Sequence, residues 1–463
     1  MMFSEASVVS PPLPPSYSAD PEAHSGDDEP QLPAYNQRDS GASFASHKEF
    51  TSALKRKGKP LVNLVLVANQ GLSKVTPTFV EGMAISGRVE LDLDRPQTIN
   101  EVSVAVKGSL ISIENSGDQQ LFFLNVQKTI WSPAMGDPYP SQESPNSSPS
   151  TVGHASRLSG SYEWQFSVDL PREVVLPYGP RKQLGVFKLP QTFMERHARA
   201  TICYEVALRI RRGRLKPDYR VNLTFGYIPL IRPERPSILR QYAYQEHNQI
   251  PSPDIDLDGW HSSDLFKVKG RLFGRSATVE CILSVATPLC FTRGTAVPIS
   301  LLLKSDDVQA LDLLSSPKSV VCRLRRVIKY HAGQEKSVEP LAWKDGLEDS
   351  QSALWWPCAE VDANTRHRRR LSGELHLRKD LKPTTAIGGF RIEYSVAFFS
   401  FDALAFDALD KDTQPLASVP VEIATMYAKG PHPRMYAPPS YEDINTRYLP
   451  DDRVGMMLNS TAF

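Results

Sequence analysis

Residues 202 to 210 read Ile202-Cys203-Tyr204-Glu205-Val206-Ala207-Leu208-Arg209-Ile210. The large apolar side chains Ile202, Tyr204, Val206, Leu208 and Ile210 share one parity. Successive side chains of a strand point to opposite faces, so this spacing buries one face and wets the other. The same period recurs along the chain. Upstream, Ile85, Val89, Leu91 and Leu93 alternate with Ser86, Arg88, Glu90 and Asp92, and Val102, Val104 and Val106 alternate with Ser103, Ala105 and Lys107. Tyr162, Trp164, Phe166, Val168 and Leu170 share one parity, as do Val221, Leu223, Phe225 and Tyr227. A second region opens near Val268 and repeats the pattern at Val297, Ile299, Leu301 and Leu303, at Leu371, Leu375 and Leu377, and at Ile392, Tyr394, Val396 and Phe398. One-sided burial belongs to antiparallel sheets rather than to parallel sheets covered by helices. No amphipathic helix of ordinary length is legible. Two blocks of short strands predict an all-β chain of two antiparallel β-sandwich domains.

Length and charge agree with that division. A chain of 463 residues exceeds what one core organises, which suggests two or three domains. Lys+Arg is 53 and Asp+Glu is 52, so nothing demands a nucleic-acid partner. The cysteines Cys203, Cys281, Cys290, Cys322 and Cys358 are odd in number and form no C-x-x-C pair. A disulfide framework or a zinc site is not expected, and reducing, cytoplasmic surroundings are. The first residues carry no apolar signal core, and no apolar run approaches the ~20 residues that span a bilayer.

Composition places the boundaries. Residues 1–60 are rich in Ser, Pro, Asp and Glu and bury too little to offset ordering entropy, so a disordered tail is expected. Residues 61–230 and 268–427 hold the two blocks of strands. Residues 231–267 form a linker punctuated by Pro233, Pro236, Pro251 and Pro253, and residues 428–463 form a second disordered tail. Long loops are expected over 132–159 and 332–366.

The tails carry the sharpest motifs. Pro14-Pro15-Ser16-Tyr17 and Pro438-Pro439-Ser440-Tyr441 are both PPxY. Paired prolines pre-set a polyproline II backbone, so the segment loses little entropy on docking. WW domains clasp the proline rings in an aromatic groove and take the tyrosine in a second pocket. The C-terminal copy continues Glu442-Asp443-Ile444, where a short helical turn would bring Ile444 back onto the domain. Leu32-Pro33-Ala34-Tyr35 is a weaker LPxY variant with half the proline ridge. Tyr17 and Tyr35 lie 18 residues apart, a flexible reach of about 23 Å, which suits a ligand with tandem WW domains.

Other features read more plainly. Arg366, Arg368, Arg369 and Arg370 form a basic run before a predicted strand, either a solvated loop or a patch for acidic tails, phosphates or anionic lipid headgroups. Tyr162, Trp164 and Phe166 read as core. Adjacent Trp355 and Trp356 point to opposite faces, leaving one for a partner. Asp254, Asp256 and Asp258 precede Gly259 in the manner of a calcium loop, but the twelfth position is Leu265, so a polar linker is expected. No G-x-S-x-G, P-loop or H-E-x-x-H signature occurs, and no catalytic residue, metal or cofactor is expected.

The first block resembles the arrestin N-terminal domain in its fungal α-arrestin form. The matching text is Gly87-Arg88-Val89-Glu90-Leu91, Ile99 to Gly108, Phe166 to Pro171, Leu189-Pro190-Gln191-Thr192-Phe193 and Ile202 to Leu215, in that order over roughly residues 61–230. The second block resembles the family in strand texture alone. The resemblance implies two arrestin-like sandwiches flanked by disordered tails. It also implies a non-enzymatic adaptor that links plasma-membrane transporters or receptors, through their cytoplasmic tails, to the WW domains of a HECT-type ubiquitin ligase. Pro14, Pro15, Tyr17, Pro438, Pro439 and Tyr441 would be the ligase contacts. The protein would be cytoplasmic and recruited to plasma membrane or endosomes, and peripheral membrane association is compatible with this. No buried charged core of the visual-arrestin kind is legible, so no phosphate-triggered switch is assigned. Two alternatives stand beside this reading: a signalling scaffold of the same fold, for example in pH sensing at a membrane receptor, and a β-sandwich enzyme or carbohydrate-binding protein.

Overall fold

A two-residue turn starts the first sheet. Lys57 and Gly58 both take positive φ, 50° and 80°, the backbone that matches the twist of a tight hairpin. They join strand His47–Arg56 to strand Lys59–Asn69. The computed structural model describes residues 47–69, 72–114, 117–136, 157–178, 183–196, 198–213, 216–331, 343–358, 365–409 and 414–437. Strand His47–Arg56 falls within the segment 1–60 expected to lack structure. Its pattern is weak because only Phe50 is buried; the strand persists as an edge paired to its neighbour along its length.

The first half is organised by one long strand, Ile85–Glu114. Its opening part pairs with Lys59–Asn69 and with Arg157–Val168. Its later part pairs with Gly117–Trp131 and with Ala200–Arg212. Register shifts between Leu93 and Gln97 and between Ile99 and Glu101 mark bulges, which bend a strand and let this one serve both sheets of the sandwich. Ala200–Arg212 continues to Tyr219–Ile228, which takes the short parallel strand Thr78–Val80. Leu64, Leu66, Val89, Leu91, Val104, Val106 and the whole parity set Ile202 to Ile210 are buried in one cluster. Trp164 and Phe166 join them, with Tyr162 stacked on Trp164 at 5.6 Å, so the aromatic stripe is core.

Two glycines of the ordered motif set have a packing reason. A Cβ on Gly87 would lie 2.0 Å from the Val65 carbonyl oxygen, and one on Gly108 would lie 2.4 Å from the Phe123 ring. Val65 is itself paired in the sheet and cannot withdraw. Gly87→Ala is expected to destabilise the protein by about 1–3 kcal/mol, read as a lower unfolding midpoint; an unchanged midpoint would contradict this packing.

The second half is also a sandwich. One sheet runs in the order Leu354–Pro357, Arg368–His376, Ala296–Lys304, Arg275–Ala286, Phe266–Leu272, Phe406–Ala408, with Trp260–Ser262 added to Arg275–Ala286. The other runs Cys290–Thr292, Ala417–Ala424, Phe390–Phe401, Val320–His331, Trp343–Ser352, with Thr385–Ile387 on Phe390–Phe401. The pairing is antiparallel except for Cys290–Thr292 with Ala417–Ala424. Val279, Leu283, Leu301 and Leu303 of one sheet and Leu324, Ile392 and Val396 of the other are fully buried, and Phe266 meets Phe398 across the gap at 5.1 Å. None of the five cysteines is in a disulfide. Among the described residues no helix is long and apolar enough to cross a membrane.

Two short helices interrupt the strands, both below ordinary length. Ile238–Glu246 and Val308–Leu314 are α-helices of nine and seven residues. Ser237 caps the first by accepting from the Arg240 amide. Its buried face is Arg240, Ala243 and Tyr244, while Ile238, Leu239 and Tyr242 are exposed. An arginine on the inward face and apolar residues on the outward one erase the periodicity that reveals helices. The linker 231–267 is therefore no bare connection: it holds this helix and the strand Trp260–Ser262.

An edge of the first half sets part of the acid response. Arg88 grips Glu49 through paired contacts of 2.6 and 2.8 Å and touches Glu90 at 2.7 Å. The Arg88 hydrogen bond holds the Glu49 carboxyl below its ordinary value, and the Asn63 amide, then Arg88, do so for Glu90. Arg209 likewise holds Asp218 low. A carboxyl whose folded pKa is depressed contributes stability that is present above its unfolded value and lost as pH falls through the folded one. With ordinary values of 4.5 for Glu and 3.8 for Asp, the unfolding midpoint is expected to fall as pH drops below that range. In Arg88→Gln this fall should be shallower, which a pH series of thermal scans would measure.

Candidate functional site

Pro14, Pro15, Tyr17, Leu32, Pro33, Tyr35, Pro438, Pro439, Tyr441 and Ile444 lie outside the described residues. The described chain ends at Ala437, directly before the C-terminal PPxY. The segment leading there is built into the second half as a strap. Beyond strand Ala417–Ala424, Thr425 and Met426 donate their amides to the Ile231 carbonyl at 3.1 and 2.9 Å. Arg232 donates to the Tyr427 carbonyl at 2.7 Å, so the strap begins zipped to the linker. It then follows the helix Ile238–Glu246. Arg434 Nε donates to the Tyr244 carbonyl at 2.6 Å, and the Tyr436 hydroxyl donates to the Ala243 carbonyl at 3.2 Å. The Tyr436 and Tyr244 rings stack with centroids 6.4 Å apart. At the end, Glu374 receives the backbone amides of Tyr436 and Ala437. A cavity of about 260 Å³ opens beside this point, walled by Trp260, Trp356, Pro251, Ile255, Glu374 and Tyr436. Trp356 thus supplies the partly exposed member of the tryptophan pair, and Trp355 is buried at 1 % exposure.

Helix and strap depend on a buried arginine. Arg240 is 2 % exposed. Its guanidinium donates to the Thr287 carbonyl at 2.6 Å and to the Gly259 carbonyl, and it lies 5.4 Å from the Trp260 ring centroid. Burial pushes its pKa below the ordinary arginine range, opposed by Tyr244 and Asp256. Asp256 accepts from Ser237 at the helix start, so this acid of the alternating Asp254, Asp256, Asp258 set fixes the linker.

The basic run is closed rather than open. Arg368, Arg369 and Arg370 are the first residues of strand Arg368–His376, opposite Lys304, Leu303 and Leu302. Arg368 and Arg370 both pair with Asp254, the latter at 2.9 Å, and Arg369 pairs with Asp312 at 2.6 Å. Only Arg366 of the set is exposed. The sequence shows four cations together; the fold sets Asp254 and Asp312, distant in sequence, against three of them.

Charges also gather where the halves meet, which the sequence reading missed. The Glu195 carboxylate takes both terminal nitrogens of Arg326 at 2.8 Å, and Arg326 also pairs with Glu348 at 2.5 Å. Arg293 donates to the Gln191 side chain and to the Leu381 carbonyl, each at 3.2 Å. Burial lowers the pKa of Arg293 and of Lys382. Phe193 meets Phe390 at 5.2 Å in the same junction. A cleft of about 1040 Å³ lies nearby, lined by Lys188, Arg232, Cys290, Val327, Glu393 and Tyr394 among others. Among the described residues no group of three or more His, Cys, Asp or Glu side chains is placed to hold a metal ion.

The chain matches no family model and no curated protein.

Proposed function

We propose that the chain is a non-catalytic adaptor. Its PPxY motifs recruit a HECT-type ubiquitin ligase through WW domains, and its body brings that ligase to membrane transporters or receptors, whose ubiquitination and endocytosis it promotes. The pair of PPxY motifs, one near each end of a two-sandwich chain, carries the reading. Three further observations support it. The all-β architecture agrees with the arrestin-like resemblance of the ordered motifs. Gly87 and Gly108, both within those motifs, sit where no side chain fits. The cleft at the junction of the halves offers a concave surface to a cytoplasmic tail. The adaptor would act in the cytoplasm at plasma membrane or endosomes.

Reconstituted ubiquitin transfer tests this. Purified chain, a HECT ligase with tandem WW domains, its upstream enzymes and ubiquitin should give rapid modification of the chain itself. The Tyr17→Ala/Tyr441→Ala double variant should slow that reaction by at least about tenfold, since each lost tyrosine pocket removes more than about 1.4 kcal/mol. Equal rates for the two proteins would sink the proposal.

A further inference from the structure

The hairpin that opens the first sheet carries charge that its own fold does not answer. Lys55, Arg56, Lys57 and Lys59 surround the Lys57-Gly58 turn, and all four are exposed. A register shift between Leu54 and Lys55 separates the partly buried length of the hairpin from this tip. Beyond it every residue from Lys55 to Pro60 is exposed. A Cβ on Gly58 would meet nothing within 4 Å, so the turn stands clear of the body. Arg56 and Lys59 are direct cross-strand partners, and like charges directly opposite one another destabilise a pair of strands. Glu49 is the only acid between residues 47 and 69, and Arg88 takes both its oxygens. Asp92, on the strand beside them, accepts from Ser161. Among the described residues none of the four cationic side chains has an ion pair or a hydrogen bond. The other basic run is the opposite case, closed by Asp254 and Asp312.

We infer that this turn is a membrane contact, its four cations docking on anionic lipid headgroups. The choice of a membrane rests on the adaptor reading above, but the docking itself needs neither ligase nor cargo. A fold that sets Arg56 against Lys59 leaves their repulsion to be relieved from outside, by anions. The isolated, convex tip suits a plane of headgroups, where several anions meet it at once. An acidic peptide would need a groove to lie in, and the concavity beside Pro60 is walled by Glu90, Asp92 and Glu163, which repel one. Each Lys or Arg brought to an anionic surface contributes about fivefold in affinity, an attraction that fades within about 10 Å. The tight turn fixes the cations before contact, so little ordering is lost on docking.

Co-sedimentation of the full chain with lipid vesicles is the test. Vesicles of phosphatidylcholine mixed with phosphatidylserine should bring the chain down, vesicles of phosphatidylcholine alone should not, and the bound fraction should fall steeply as salt is raised. Arg56→Gln/Lys57→Asn/Lys59→Gln should weaken the binding by about a hundredfold. Lys57→Asn keeps the turn, since asparagine followed by glycine is a preferred pair for positive φ. Arg56→Glu gives a second readout: it places an acid opposite Lys59, so it should raise the unfolding midpoint while it weakens vesicle binding. No sedimentation with the anionic vesicles, equal binding by the chain and the triple variant, or a glutamate-rich peptide that binds the turn where the vesicles do not, would overturn the membrane contact. WW binding is measured in solution without vesicles. A chain that sediments through this turn yet binds no WW domain would overturn the recruitment reading and leave the contact standing.

Discussion

Replacing Arg240 with Met is expected to destabilise the folded protein by about 3 kcal/mol, among the larger effects of any single substitution here. The guanidinium fills a site that is 2 % exposed and donates to two backbone carbonyls, those of Thr287 and Gly259. Methionine matches the length and keeps the apolar contact with Trp260, but it leaves both carbonyls without that donor. Hydrogen bonds to charged groups contribute about 1.5–3 kcal/mol each, and relief from burying the charge offsets part of the loss. Urea unfolding should show a lower midpoint with an unchanged slope. Tyr242→Ala, on the exposed face of the same helix, should stay within about 0.5 kcal/mol. Equal effects at the two positions would mean that Arg240 does not hold the linker to the second half.

The second large effect concerns the proposed WW contact. Tyr441→Ala should weaken WW binding by about thirtyfold, since burying a large aromatic side chain contributes roughly 2 kcal/mol, and each 1.4 kcal/mol is tenfold. Ile444→Ala should cost less, about three- to fivefold, because a turn must first form to bring it onto the domain. Tyr17→Ala should weaken binding to the full chain less than Tyr441→Ala, because Ser18-Ala19-Asp20 after Tyr17 supplies no apolar residue at the corresponding position. Fluorescence anisotropy against a labelled WW domain would rank the three variants. A larger loss for Tyr17→Ala than for Tyr441→Ala would reverse the assigned order.

The strands were legible because their alternation answers to a single force. Ile202, Tyr204, Val206, Leu208 and Ile210 are each at most 1 % exposed, and Ile392, Tyr394, Val396 and Phe398 are likewise buried. Where a second layer covers the outward face, the same logic misleads. Glu374 shares its parity with Ser372 and His376, opposite Leu371 and Leu375, so its spacing reads as solvent-facing. In the structure the strap covers that face, and Glu374 becomes one of the most buried charges. Strand His47–Arg56 shows the converse: one buried phenylalanine gives no period, yet the Lys57-Gly58 turn secures the pairing. That dipeptide was the one available signal. Arg326 and Glu195 are 131 residues apart, and no local pattern connects them. The same holds for Arg370 and Asp254, which turned an apparent cationic patch into an internal clasp. The PPxY motifs are contiguous four-residue patterns, so they are legible in the sequence without knowledge of the fold.

The central claim is that the terminal motifs make this protein a ligand for WW domains. The most direct test is calorimetric binding of a tandem WW fragment from a HECT-type ligase to the full chain and to its Tyr17→Ala/Tyr441→Ala variant. Saturable binding to the first, and affinity lowered by at least about a hundredfold in the second as two tyrosine pockets empty, is the predicted result. Binding unchanged by the double substitution, or no binding to either protein, would contradict it.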